Sequence, residues 1–109
     1  RRPKTVLLNE YGVKIGELGI EDNESYIDVN GERFYYKMRN TPLTELILYK
    51  ESMEKPFVNC SLSTKDGDAE ISFIKDKSLN NAPHPGLLMA LCWYMFLPVA
   101  KENVVEFAS

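Results

Sequence analysis

The stretch Ile27-Asp28-Val29-Asn30-Gly31-Glu32-Arg33-Phe34-Tyr35-Tyr36 decides the reading of the fold. Ile27 and Val29 alternate with Asp28. Beyond Asn30-Gly31, Phe34, Tyr36 and Met38 alternate with Arg33, Tyr35, Lys37 and Arg39. A period of two is the mark of a strand with one apolar and one wetted face. Asn-Gly between two such runs predicts a two-residue hairpin, because both residues tolerate the positive φ of a type I′ turn.

Working outward, the same alternation recurs. Upstream, Val13 and Ile15 share one parity while Leu18 and Ile20 share the other, so the phase slips across Gly16-Glu17 as at a bulge or bend. Downstream, Thr44–Tyr49 is a strand with apolar residues on both faces. Pro56 marks an edge or a strand start. Val58, Cys60 and Leu62 then alternate with Asn59, Ser61 and Ser63. The turn Lys65-Asp66-Gly67-Asp68 leads into Ala69, Ile71 and Phe73, which alternate with Glu70 and Ser72. Six or seven strands between about residues 5 and 75, joined by short turns, should pair antiparallel with their neighbours.

The last quarter differs. From Gly86 to Leu97 the chain runs Gly-Leu-Leu-Met-Ala-Leu-Cys-Trp-Tyr-Met-Phe-Leu, without a charge and without a β-branched residue. Leu, Met and Ala favour helix, and Pro83 and Pro85 suit a first turn. The expected helix covers about 84–98, with Pro98 limiting or kinking it, and Val104-Val105-Glu106-Phe107 reads as a closing strand at about 103–108. Such a helix is apolar all the way round and calls for burial on every side. At ~1.5 Å per residue the run spans about 18 Å, short of a bilayer core of ~30 Å. It is therefore not read as transmembrane. The expectation is a mainly β fold, an antiparallel meander curled into a barrel or half-barrel around one hydrophobic helix.

Composition bounds the function. A chain of 109 residues, 44% hydrophobic and 27% charged, is one domain able to bury a core without disulfides or metal. Its net charge of −3 argues against a nucleic-acid binder. After Arg1-Arg2-Pro3-Lys4 only Thr5–Leu8 is apolar before Asn9-Glu10, too short for a secretory signal. Cys60 and Cys92 lack metal-ligand spacing and sit in apolar runs, which reads as reduced, buried thiols. A reducing compartment is expected, the cytoplasm or the cytoplasmic periphery of a membrane.

Tyr11-Gly12-Val13-Lys14-Ile15-Gly16-Glu17-Leu18, the Ile27–Tyr36 hairpin, and the helix from Gly86 to Leu97 followed by Val104–Phe107 together resemble the tubby C-terminal-like superfamily, which includes tubby, phospholipid-scramblase and LURP-one-related proteins. The resemblance covers most of residues 1–109 and implies a single β-barrel-type domain. The family barrel has twelve strands where seven or eight are counted here, so it would be a reduced or partial one.

No catalytic motif is recognisable: there is no GxSxG elbow, Walker loop or GxGxxG turn. The acidic turn at Asp66-Gly67-Asp68 fits no Ca²⁺ loop. Neither metal nor cofactor is expected. His84, the one histidine, could serve a small enzyme if it met Cys60 in the fold. The favoured reading is a non-catalytic binding or scaffolding module. Arg33, Tyr35, Lys37 and Arg39 share the outward face of one strand, and Arg1, Arg2 and Lys4 make a basic start. The resemblance implies that such a surface could take anionic lipid headgroups; a protein partner is the other candidate. Glu32, Asp28 and Glu45 would partly cancel its field. A further alternative is an assembly domain completed by a partner chain, including a homo-oligomer.

Overall fold

A computed structural model describes residues 4–40, 43–82 and 84–108, with the side chains of 64–65 and 101–108 set aside. Arg1, Arg2 and Pro83 lie outside it. Seven strands, β1 (Thr5–Leu8), β2 (Lys14–Glu21), β3 (Glu24–Val29), β4 (Glu32–Arg39), β5 (Thr44–Tyr49), β6 (Val58–Lys65) and β7 (Asp68–Lys75), are followed by a 3₁₀ turn at Lys77–Asn81 and one helix, α1 (Pro85–Ala108). The strands form one antiparallel sheet in the order of the chain, and β1 and β7 are its two edges. The architecture is mainly β, a seven-stranded meander with a C-terminal helix. Among the described residues the sheet is open.

Local chemistry explains the meander. Asp22-Asn23, Asn30-Gly31 and Asp66-Gly67 each place two successive residues at positive φ. That is the type I′ geometry whose twist matches flanking strands. The Asn30-Gly31 turn sets Val29 opposite Glu32, Asp28 opposite Arg33, Ile27 opposite Phe34 and Tyr26 opposite Tyr35. The phase slip upstream is real but falls one residue earlier than Gly16-Glu17. Leu7 and Leu8 face Gly16 and Lys14, which leaves Ile15 as the extra residue, while the pairing of β2 with β3 runs without a break. Gly16 has a different reason to be glycine. A Cβ there would lie 2.3 Å from the carbonyl oxygen of Asp28 on the neighbouring strand.

The core joins one face of the sheet to one stripe of α1. Leu46, Leu48, Val58, Cys60 and Leu62 from β5 and β6 meet Leu88, Cys92, Phe96 and Ala100, which recur every four residues along the helix. Ile27, Val29 and Phe34 belong to the same cluster. In a flat sheet β3 would lie about 14 Å from β6 at ~4.8 Å per strand. Their common cluster therefore requires the sheet to curve around the helix.

The helix corrects two expectations. It does not stop near Pro98 but runs on to Ala108, so residues 103–108 are helical and form no closing strand. Proline removes the amide that would bond the carbonyl of Tyr94, and Tyr94 is 77% exposed, where water can take that role. Nor is the helix enclosed. Among the helix side chains described, those up to Ala100, only the stripe Leu88, Cys92, Phe96 and Ala100 is fully buried, while Gly86, Ala90, Trp93, Tyr94 and Pro98 are exposed. Among the described residues no helix is long and apolar enough to cross a membrane.

Gly16→Ala tests the close approach of β2 to β3. Because the obstructing atom is backbone, the substitution should cost about 3 kcal/mol, the upper end of overpacking. Gly31→Ala meets nothing within 4 Å and strains only φ, so it should cost less. Urea denaturation of both variants checks the order, which fails if the two costs are equal or reversed.

Candidate binding surfaces

Two surfaces stand out, one on each face of the sheet. On the outward face the pairing lines up Gly19, Tyr26, Tyr35 and Tyr49 across β2 to β5. The absent side chain of Gly19 makes room for the Tyr26 hydroxyl, since a Cβ there would lie 2.5 Å from it. Tyr26 is only 2% exposed although it points away from the core. Arg33 covers it, with the guanidinium 3.8 Å from the ring centroid. The Tyr26 hydroxyl donates to Glu17 at 3.1 Å, and the Tyr35 and Tyr49 rings stack at 5.9 Å.

The four residues of the basic stripe do lie together on β4, but they are differently employed. Arg33 donates through Nε and Nη2 to the two carboxylate oxygens of Asp28 at 2.8 and 2.9 Å, and through Nη1 to Glu21. These bonds, Asp28 foremost, raise its already high pKa. Arg39 lies 3.6 Å from Glu45. Tyr35 is engaged by Tyr49. Lys37 is exposed, with no carboxylate paired to it among the described residues. At the neighbouring strand, Lys14 at 2.9 Å and Lys4 at 3.7 Å flank Glu17. The bonds from Lys14 and then Tyr26 hold that carboxyl below its usual range. A polar hollow of about 420 Å³ lies here, lined by Lys14, Glu17, Asp28, Asn30 and Arg33 among others. Among the described residues Arg33 and Arg39 each have a carboxylate partner, Lys4 and Lys14 share the one carboxylate of Glu17, and Lys37 has none.

The second surface was not expected from the sequence. Beside β7, the exposed flank of α1 leaves an open apolar hollow of about 410 Å³ lined by Phe73, Gly86, Met89, Ala90 and Trp93. Phe73 and Trp93 meet edge to face at 5.9 Å, which ties this flank to the edge strand. Ile71 is 37% exposed, Ile74 63% and Trp93 39%. From Pro85 to Ala100 the helix has no charged residue, so its solvent side is as apolar as its packed side. The only sequence signal for this surface was that absence of any polar arc.

His84 and Cys60 are not assembled as a pair. His84 is exposed, takes positive φ at the start of α1, accepts from the Leu88 amide through its carbonyl, and has Nε2 3.2 Å from the Asn30 amide nitrogen. Cys60 is wholly buried, as is Cys92, and both are free thiols. Burial pushes each up to about 12, far from a thiolate nucleophile at neutral pH.

Two predictions follow from these placements. Arg33→Ala should destabilise the domain by about 1–2 kcal/mol, because it uncovers Tyr26 and strands Asp28, while Lys37→Ala should stay within ~0.5 kcal/mol. Denaturant titration of the pair distinguishes them, and equal effects would show Arg33 to be an ordinary surface charge. The thiols supply the second. Folding holds both neutral, so their contribution to stability is whole below their ordinary value of 9.0 and is lost as pH rises from there towards about 12. Midpoints should therefore fall above about pH 9, and a thiol reagent at about pH 8 should label the unfolded chain but not the native one. Rapid native labelling would contradict the burial.

The chain was compared with known protein families, with curated proteins and with solved structures, and none of the three gave a match.

Proposed function

We propose that the chain is a non-catalytic interaction domain, a reduced relative of tubby-like barrels whose bare helix flank and open sheet are closed by a protein partner. The observation that carries this reading is the uncharged, exposed flank of α1 beside β7. Exposing Trp93, Tyr94, Ile71 and Ile74 to water forfeits roughly 25 cal/mol for each Å² that a partner could cover. Isolated exposed apolar residues are ordinary, but here Trp93 lines a hollow shared with Phe73 of the edge strand, whose Ile71 lies on the same side. The family likeness adds the order of a meander followed by a hydrophobic helix, and a partner's strands would extend the sheet towards a barrel.

An anionic-headgroup site at Arg33, Tyr35, Lys37 and Arg39 has weaker support. Such a site needs uncommitted cations, and Asp28, Glu21 and Glu45 already occupy two of the three. A small enzyme using His84 lacks its nucleophile, because Cys60 is sealed in the core.

A photo-crosslinking amino acid at Tyr94, with Lys37 as the control position, tests the reading in cells expressing the protein. The expected result is a discrete protein adduct from position 94 and none from 37. Adducts from 37 alone would overturn it. So would flotation of the protein with vesicles containing anionic lipid that Lys37→Glu abolishes, which favours the headgroup site.

A further inference from the structure

The two edges of the sheet are not equivalent. β1 has four residues and a register break between Leu7 and Leu8, both of which blunt an edge against further pairing. β7 has eight residues, pairs with β6 in unbroken register from Asp68 to Lys75, and contains no proline. Its far side carries no strand among the described residues. A long, regular, exposed edge of this kind is a template for one more strand.

Resting on the interaction reading above, we infer that the strand it receives is β7 of a second copy of this chain, added antiparallel about a two-fold axis through the joint. Charge favours that occupant. Asp68 and Glu70 lie at one end of β7 and Lys75 at the other, so an antiparallel copy brings the acidic end of each strand alongside the basic end of its mate. A parallel copy would set like ends together. The alternation of faces restricts the register further. Ile71 and Phe73 point to the helix side, opposite Leu62 and Cys60, whereas Ile74 points outward, opposite Asn59. A two-fold axis perpendicular to the sheet must keep inner residues beside inner residues, so a residue at its centre faces its own copy. A centre at Ile71 opposes no like charges within β7, whereas a centre at Ser72 sets Asp68 beside Asp76 at the strand's end and a centre at Glu70 would set Glu70 against itself. With the faces preserved, both helices stand on the same side of the joint. The hollows lined by Phe73, Ala90 and Trp93 then open towards one another.

The area available sets the strength. Given the exposed fractions of Ile71, Ile74, Trp93 and Tyr94, these side chains offer on the order of 400 Å² per copy. The strand backbone and the Gly86–Ala90 flank raise this towards the ~800 Å² of a standard interface. An interface of that size suits a reversible pairing rather than an obligate dimer.

Sedimentation velocity between about 1 and 200 µM, with the full chain, tests the inference. The expected result is a monomer–dimer equilibrium with a Kd on the order of 10 µM. Ile71→Lys and Ile74→Lys should each weaken it at least tenfold, with circular dichroism unchanged, while Val6→Lys on β1 should leave it intact. Hydrogen exchange supplies a readout independent of the variants, since protection of the outward β7 amides should rise with concentration. A strict monomer at 200 µM, or a dimer dissolved by Val6→Lys and not by the β7 variants, overturns the inference. A monomer that still gives protein adducts from position 94 would leave the interaction domain standing and remove only the second copy.

Discussion

One helix must cover a sheet wider than itself, and the rest of the molecule follows from that mismatch. Seven strands laid flat would extend about 29 Å across, whereas a helix with its side chains is about 10 Å in diameter. The stripe of Leu88, Cys92, Phe96 and Ala100 can seal β5 and β6 directly, and the chain closes the remaining gap by curvature. Ile27 and Val29, three strands away, reach the same cluster and are wholly buried. Without the curve those side chains would be wet, and without the helix the curve would have nothing to close on. The fit holds on one side only. A single cylinder inside an open trough always leaves its upper arc bare, and here that arc is hydrophobic.

The outward face handles the opposite difficulty, a strand face rich in charge and aromatic rings with no second layer above it. The solution is local pairing. Arg33 lies over Tyr26, is held by both oxygens of Asp28, and reaches Glu21. Gly19 supplies the space in which the Tyr26 hydroxyl sits, and Glu17 accepts from it. A tyrosine facing solvent thus becomes one of the best-buried residues in the chain. The basic stripe owes its existence to the same arrangement, since its charges serve neighbouring carboxylates before they serve any ligand.

Much of this was legible in residue order. Asn30-Gly31 fixes a two-residue turn, and counting back from it pairs Asp28 with Arg33 and Ile27 with Phe34 without coordinates. The inward set Phe34, Tyr36 and Met38 and the outward set Arg33 to Arg39 follow from parity. The helix was legible as a helix but not in its extent. Pro98 reads as a stop because it lacks a donor, yet Tyr94, whose carbonyl loses its partner, is an exposed residue that water can reach, and Val104-Val105 carry on in helical form. Burial on every side was the natural reading of a helix without a polar face. That inference holds only where enough sheet exists to enclose it, and strand count alone does not reveal how far a sheet curls. Tyr26 was overlooked because its cover, Arg33, acts through a cross-strand contact between residues seven positions apart.

The sequential strand order has a consequence for how the molecule comes into being. Each strand pairs with its neighbour in the chain through a short connection, so the ladders form from local contacts and can assemble early. The helix that dries the inner face comes after all of them. A chain emerging from the ribosome therefore brings Leu46, Leu48, Val58 and Leu62 into water before the residues of α1 that cover them have been made.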